Sequence, residues 1–331
     1  MRFSRLGTSG LTVSALVLGT ASFGDTVGAD AAGQVVAAAL DAGVTAFDTA
    51  DVYAGGRSEE ILGATLPRSM RERVVVCSKA GLRRGDSDAD HAAVSAGRAD
   101  HTARWARGIA PTDAGLSRKH IMRAVEESLV RLRTDYLDLY QVHRFDPETR
   151  PEETLRALDD LVTSGKVRYL GCSGYAAWQL YQALWTSDRH GFARFESVQA
   201  RYNIGFRDAE RELLPAARAA GVGVLAFQAL AGGVLTGRTD AAGAPGRSSR
   251  DAVRGRFGTE AFIDRARRLR EAGERAGVSP AQVCLGWVLS RPGVSAAVVG
   301  ASSPEQLADL VTAASGGVPD EILTGLDGPG T

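Results

Sequence analysis

Short apolar runs alternate with amphipathic stretches along almost the whole 331-residue chain. The runs fall at 15–19, 44–48, 74–79, 136–143, 167–173, 197–200, 223–227 and 296–300. Apolar runs this short, bounded by turn residues, read as buried strands. Helical periodicity marks the segments between and after them, at 30–42, 58–66, 118–132, 151–164, 176–185, 207–220, 262–276 and 304–313. Eight strand-then-helix repeats predict an α/β fold of the (β/α)8 TIM-barrel type, with 1–331 as one domain. A doubly wound open sheet is the alternative. It is disfavoured because no Gly-x-Gly-x-x-Gly turn follows the first strand. Ahead of the barrel, Phe3–Leu6, the turn Gly7-Thr8-Ser9-Gly10 and Leu11–Val13 read as a small β-hairpin that caps the barrel floor. The stretches 81–115 and 237–257 lack apolar periodicity and are long loops expected over the active-site mouth.

Composition narrows the function classes. The formal net charge is zero, so the chain has no basic excess for nucleic acid or an anionic membrane surface. No apolar run approaches the roughly 20 residues of a membrane span, and the stretch after Met1 lacks the apolar core of a secretory signal. Cys77, Cys172 and Cys284 are odd in number and scattered, which suggests neither a disulfide framework nor a zinc site and fits a reducing cytoplasm. Asp86, Asp88, Asp90, His91, Asp100 and His101 lie on the first long loop and read as solvated surface, not a metal site. Nothing in the sequence sets an oligomeric state.

Three of the expected strands end in ionisable groups: Asp48, Lys79 and His143. Tyr53 follows Asp48 in a Gly-bearing loop, just before a helix start at Ser58. Each has a plainer reading alone. Lys79 is a solvated strand end, His143 a loop histidine, Asp48 a turn cap, and Tyr53 a packed loop aromatic. Together they build one site at the carboxyl edge of a barrel, which is an enzyme's layout.

The residues Asp48-Thr49-Ala50 with Tyr53, Ser58-Glu59, Leu62-Gly63, Ser78-Lys79 and Gln141-Val142-His143 carry a resemblance. So do Gly165-Lys166-Val167-Arg168, Gly171-Cys172-Ser173, Gln199 with Tyr202-Asn203, and Gly300 to Leu307. On these, in this order, the chain resembles the aldo-keto reductase family from the hairpin to about Leu310. The resemblance implies NADPH-dependent reduction of an aldehyde or ketone, with Asp48, Tyr53, Lys79 and His143 as catalytic residues and no metal. The chemistry of these side chains agrees. Hydride reduction of a carbonyl needs a proton donor, and a free phenol has a pKa near 10. The Lys79 ammonium is expected to lower that value, with Asp48 as its partner. His143 can hydrogen-bond the substrate oxygen or relay the proton.

The resemblance also implies the cofactor's contacts. Gly19, Thr20 and Asp48 border it, Ser173 and Gln199 bond the nicotinamide carboxamide, and Phe227 stacks on the ring. Leu230, Gly232, Gly233, Leu235 and Arg238 run beneath the pyrophosphate, and Gly300, Ser302, Gln306 and Asp309 meet the adenosine end. Departures from the family pattern, as the resemblance implies it, are Gly174 in place of a frequent Asn, Gln228-Ala229 in place of the usual Ser-Pro, and Ser302 and Leu310 where many NADP-preferring members carry Arg and Asn. Some members keep the Ser and meet the 2′-phosphate with another basic residue. Arg247, Arg250, Arg254 and Arg256 are then the candidates for the 2′-phosphate of NADP, with NAD the other possible cofactor. The expected pocket walls are Ala21, Phe23, Trp105 and the residues after His143. The small Ala21 suggests a bulky carbonyl, such as a ketosugar or a natural-product intermediate. A cofactor-sensing regulatory subunit, as in potassium-channel β subunits, is the alternative from another class.

Overall fold

The hairpin is β1 (Phe3–Arg5) and β2 (Thr12–Ser14), paired antiparallel. In the computed structural model, which describes residues 1–82, 102, 106, 110–236, 259–316 and 318–326, the eight apolar runs form one closed parallel barrel. Its strands are β3 (Leu16–Gly19), β4 (Ala46–Asp48), β5 (Val75–Ala80), β6 (Leu137–Val142), β7 (Val167–Ser173), β8 (Phe195–Arg201), β9 (Gly223–Phe227) and β10 (Val294–Val299). Each neighbours the next in sequence, and β10 closes the ring on β3. The surrounding helices are α1 (Ala29–Asp41), α2 (Arg57–Thr65), α3 (Arg118–Leu132), α4 (Pro151–Thr163), α5 (Ala177–His190), α6 (Leu213–Ala219), α7 (Glu260–Ala276), α8 (Pro280–Leu289), α9 (Pro304–Ser315) and α10 (Asp320–Gly325).

Strand side chains alternate between two faces. Those facing out, such as Leu16, Phe47, Tyr140, Leu170 and Val198, join the helices in the main core. Those facing in form a second cluster of Val17, Ala46, Val75, Leu139, Leu225 and Ala296, sealed by Leu6 and Val13 of the hairpin. Above this apolar floor the buried inward positions turn polar, with Asp48, Lys79, Gln141, Ser173 and Gln199 at the carboxyl ends. The floor thus fixes the strand register that brings the polar layer together.

The hairpin sits so close to β9 that only glycine fits there. A Cβ at Gly223 would lie 2.6 Å from the Gly7 nitrogen and 2.8 Å from the Leu6 carbonyl carbon. Gly223→Ala is therefore expected to destabilise the protein by about 1–3 kcal/mol, the usual scale of overpacking. A lowered urea midpoint at unchanged slope would bear this out.

Two helices have no counterpart in the periodic pattern, α8 and α10. α8 buries residues all around its axis, from Ala281 to Val288, so it carries no amphipathic stripe. α6 is shorter than the pattern suggests. Pro215 has no N–H and fits only in a first turn, so the helix begins at Leu213 after a separate turn at Asp208–Glu210. The two long loops fall largely outside the described residues. With them go Asp86, Asp88, Asp90, His91, Asp100, His101, Trp105, Arg238, Arg247, Arg250, Arg254 and Arg256. The base of the first is pinned where the Gly115 N–H donates to the Gly81 carbonyl at 2.9 Å.

Candidate active site

Asp48, Lys79 and Tyr53 come together at the mouth of the barrel. Lys79 Nζ donates to Asp48 Oδ2 at 2.6 Å, to the Thr49 carbonyl at 3.0 Å and to the Tyr53 hydroxyl oxygen at 3.1 Å. An ammonium has three protons, so all three of its donors are placed. The pair is almost fully buried, with Lys79 1% and Asp48 2% exposed. A buried pair persists only when its remaining valences are satisfied, and here they are. Asp48 Oδ1 accepts from Gln199 Nε2 at 2.7 Å and from Gln141 Nε2 at 3.1 Å.

Burial works to lower the Lys79 pKa, but the charge and hydrogen bonds of Asp48 and the Tyr53 oxygen outweigh it and the net shift is upward. Lys79 stays an ammonium. Tyr53 differs from the sequence expectation. Lys79 does pull its pKa down, but burial pushes it up more strongly and Asp48 adds to the rise. The phenol therefore lies above its ordinary value of 10.0 and is protonated at neutral pH. His143 stands beside it, ring edge toward ring face, with centroids 5.7 Å apart. Its backbone is tied to β5, His143 N–H donating to the Ala80 carbonyl at 2.8 Å.

The loop carrying Tyr53 is tightly wound. Ala54, Gly55 and Gly56 follow it with φ of 48°, 66° and 95°, and positive φ is uncommon for an alanine. α2 then anchors the loop from behind. Glu59 accepts from Ser78 Oγ at 2.5 Å and from Arg131 Nε at 2.6 Å, tying α2 to β5 and α3.

A dinucleotide fits the neighbouring rim. Phe227 is partly exposed at the end of β9, an aromatic platform. Beyond it, Gln228, Ala231, Gly232 and Gly233 all have positive φ, and within this turn the Ala231 and Gly233 N–H groups donate to the Gln228 and Leu230 carbonyls at 2.9 Å. Gln228 Oε1 is buried there with no hydrogen-bond partner among the described residues. Gly300 packs over β3, where a Cβ would come 3.3 Å from the Gly19 carbonyl, and leads to the N-terminus of α9 capped by Ser303.

Several sequence-predicted contacts have side chains engaged within the protein. The Thr20 hydroxyl is buried against the Asp48 carbonyl and Ser58 Oγ. Gln306 Oε1 accepts from both the N–H and the hydroxyl of Ser302. Asp309 accepts from Ser279 Oγ, joining α9 to α8. Leu235 lies in the core, and Ser173 is buried beside Gln199 in register. Leu230 is partly buried and Gly232 exposed. Phe23 requires a correction. It is not a pocket wall but a fully buried core residue, its N–H donating to the Thr20 carbonyl at 2.9 Å. Gln141 was missed as a site residue, although it is the one amide in the apolar run 136–143.

The closed parallel barrel thus carries a phenol, an ammonium and a carboxylate joined by hydrogen bonds at its mouth. The chain matches the model of the aldo/keto reductase family over residues 15–327. It is 34% identical to the versiconal hemiacetal acetate reductase of Aspergillus parasiticus, across 99% of this chain and 97% of that protein. It is 35% identical to the uncharacterized oxidoreductase YrpG of Bacillus subtilis, across 100% and 97%. It is also 35% identical to a probable voltage-gated potassium channel subunit beta of Oryza sativa, across 95% and 91%. The protein belongs to the aldo/keto reductase family. It is an NAD(P)H-dependent oxidoreductase whose reaction class is carbonyl reduction. Among the described residues, no helix is long and apolar enough to cross a membrane.

Proposed function

We propose that the protein reduces an aldehyde or ketone to the alcohol with NADPH, and that Tyr53 is the general acid. One observation carries this reading: all three Lys79 protons are assigned, one of them to the Tyr53 oxygen, so the phenol receives from Lys79 and keeps its own proton to give. When bound, the nicotinamide cofactor supplies the hydride. The rest is the work of the chain. Lys79 steadies the phenolate that forms as the proton leaves, and Asp48 holds Lys79 in place. His143, beside the phenol, orients the substrate oxygen. Ser173 and Gln199 hold the nicotinamide end, Phe227 supports its ring, and the 228–233 turn and the α9 N-terminus hold the phosphates and adenosine. Residues 1–331 act as one domain in this reading. A reducing cytoplasm suits its three buried cysteines, none of them in a disulfide.

The substrate class rests on Ala21, which is exposed near the mouth, and on the relative named for versiconal hemiacetal acetate. Both favour a bulky carbonyl, such as a natural-product intermediate or a ketosugar, over a small aldehyde. The likeness to a potassium channel subunit beta supports a second reading, a nicotinamide-sensing subunit. The two separate on turnover: a sensor binds NADPH tightly and consumes none of it with any carbonyl.

NADPH is proposed over NADH because the sequence 237–257 contains Arg247, Arg250, Arg254 and Arg256 besides Arg238, while Ser302 has only a hydroxyl. Single alanine substitutions at Arg247, Arg250, Arg254 and Arg256 test this. Loss of the responsible arginine weakens NADPH by about 1.5–3 kcal/mol, the range for a hydrogen bond to a charged group, and leaves NADH unchanged. A wild-type protein with equal dissociation constants for the two cofactors would defeat the assignment.

A further inference from the structure

We infer that Gln141 is a positioning residue for the reaction, holding the Asp48 carboxylate so that Lys79 stays on the Tyr53 oxygen when Gln199 turns to the cofactor. The inference rests on the proposed function and goes one step further into the same site. Asp48 has two oxygens with separate duties. Oδ2 takes Lys79, and Oδ1 takes two amides, Gln199 at 2.7 Å and Gln141 at 3.1 Å. In the proposed function the Gln199 carboxamide also serves the nicotinamide. Whatever contact it gives up there, Gln141 continues to supply at Oδ1.

The surroundings are shaped for this amide. Gln141 is fully buried on β6, opposite Lys79 on one side and Gly171 on the other. A Cβ at Gly171 would lie 3.0 Å from Gln141 Cγ and 2.4 Å from Ser197 Oγ, so the glycine leaves the room in which Gln141 lies. The amide is also held one way round. Its NH2 must face the Asp48 carboxylate, which leaves Oε1 buried with no partner among the described residues. A buried acceptor left unsatisfied is unfavourable. Its presence in the layer with Asp48 sets Gln141 apart from residues that merely fill the barrel.

Two variants test the inference. Gln141→Leu removes the donor at similar volume, and Gln141→Glu restores one only while the new carboxyl is protonated. Three readings are taken: the NADPH dissociation constant, turnover against pH, and the ionisation of Tyr53 by tyrosinate difference absorbance, with Tyr53→Phe as the blank. In Gln141→Leu we expect an unchanged NADPH dissociation constant and turnover lower by about 10-fold or more, the scale of a lost hydrogen bond to a charged group. Tyr53 should ionise at higher pH, because a displaced Lys79 no longer favours the phenolate. In Gln141→Glu, turnover should approach wild type at acid pH and fall as the new carboxyl ionises beside Asp48. Wild-type turnover and Tyr53 ionisation in both variants would overturn the inference. So would a loss that appears only in cofactor binding or thermal stability. If Gln141→Leu does not fold, the pH profile of Gln141→Glu decides alone, and a wild-type profile overturns it. If the wild type reduces no carbonyl, the proposed function fails, yet the Tyr53 titration still reports whether Gln141 positions Asp48 and Lys79.

Discussion

Tyr53→Phe is expected to lower turnover by about 10²-fold or more, the contribution of a positioned general acid. Phenylalanine keeps the ring, and with it the edge contact to His143 at 5.7 Å, so the loss isolates the hydroxyl. NADPH affinity should hardly change, because in this account the phenol contacts substrate and not cofactor. Stability should change little as well, although Lys79 loses one of its three acceptors. The pH dependence follows from the raised phenol. Burial puts the native Tyr53 above its ordinary value of 10.0, so the acid form persists through neutral pH. Turnover should be lost only on the alkaline side, as pH rises through the native value. Near-normal turnover of Tyr53→Phe on a good substrate would assign the proton to another group.

Lys79→Met should reduce both activity and stability. The ammonium is 1% exposed and bonded to a carboxylate that is 2% exposed. Removing one partner leaves the other charged in a dry site, a loss of roughly 3–5 kcal/mol when the pair is fully desolvated. Adding Asp48→Asn should recover part of the stability and none of the activity. Asparagine keeps a carbonyl oxygen for the amides of Gln141 and Gln199, and its uncharged NH2 replaces the oxygen that faced Lys79, so no bare charge stays buried. Stability losses that simply add in this double-mutant cycle would show that the two residues are not coupled. The sign with pH is fixed by the raised lysine. Its native value lies above the 10.5 of an unfolded lysine, so the pair's stabilisation is complete at neutral pH. It is lost as pH climbs past about 10.5 through the native value.

The barrel was legible because its strands are buried on both faces and its helices on one, which leaves a strong contrast along the chain. β7 and β9 begin and end at the residues the pattern marks. α8 was not legible by periodicity, since it is apolar all round. Its capping box, Ser279 with Gln282 followed by Pro280 at the first turn, was the available signal. In the site, Asp48, Lys79, Tyr53 and His143 could be placed together because each stands at or just past a strand end. The direction of the Tyr53 shift could not. It depends on how much water the fold removes, and a sequence shows the charged neighbour without showing the burial. Phe23 failed for a similar reason, since an aromatic after a strand reads alike whether it lines a mouth or packs inward. Gln141 and Gln199 meet on one oxygen of Asp48 only because the ring closes, and no spacing along the chain encodes that.

The central claim is most directly tested by following deuterium from NADPH labelled at the transferring carbon of the nicotinamide. The wild-type protein would be given aromatic and polycyclic ketones, ketosugars and simple aldehydes, with the alcohol product examined by mass spectrometry. The account predicts that at least one bulky carbonyl yields an alcohol bearing one deuterium on the former carbonyl carbon, and that Tyr53→Phe forms it about 10²-fold more slowly or worse. Tight NADPH binding with no labelled alcohol from any of these compounds would contradict it.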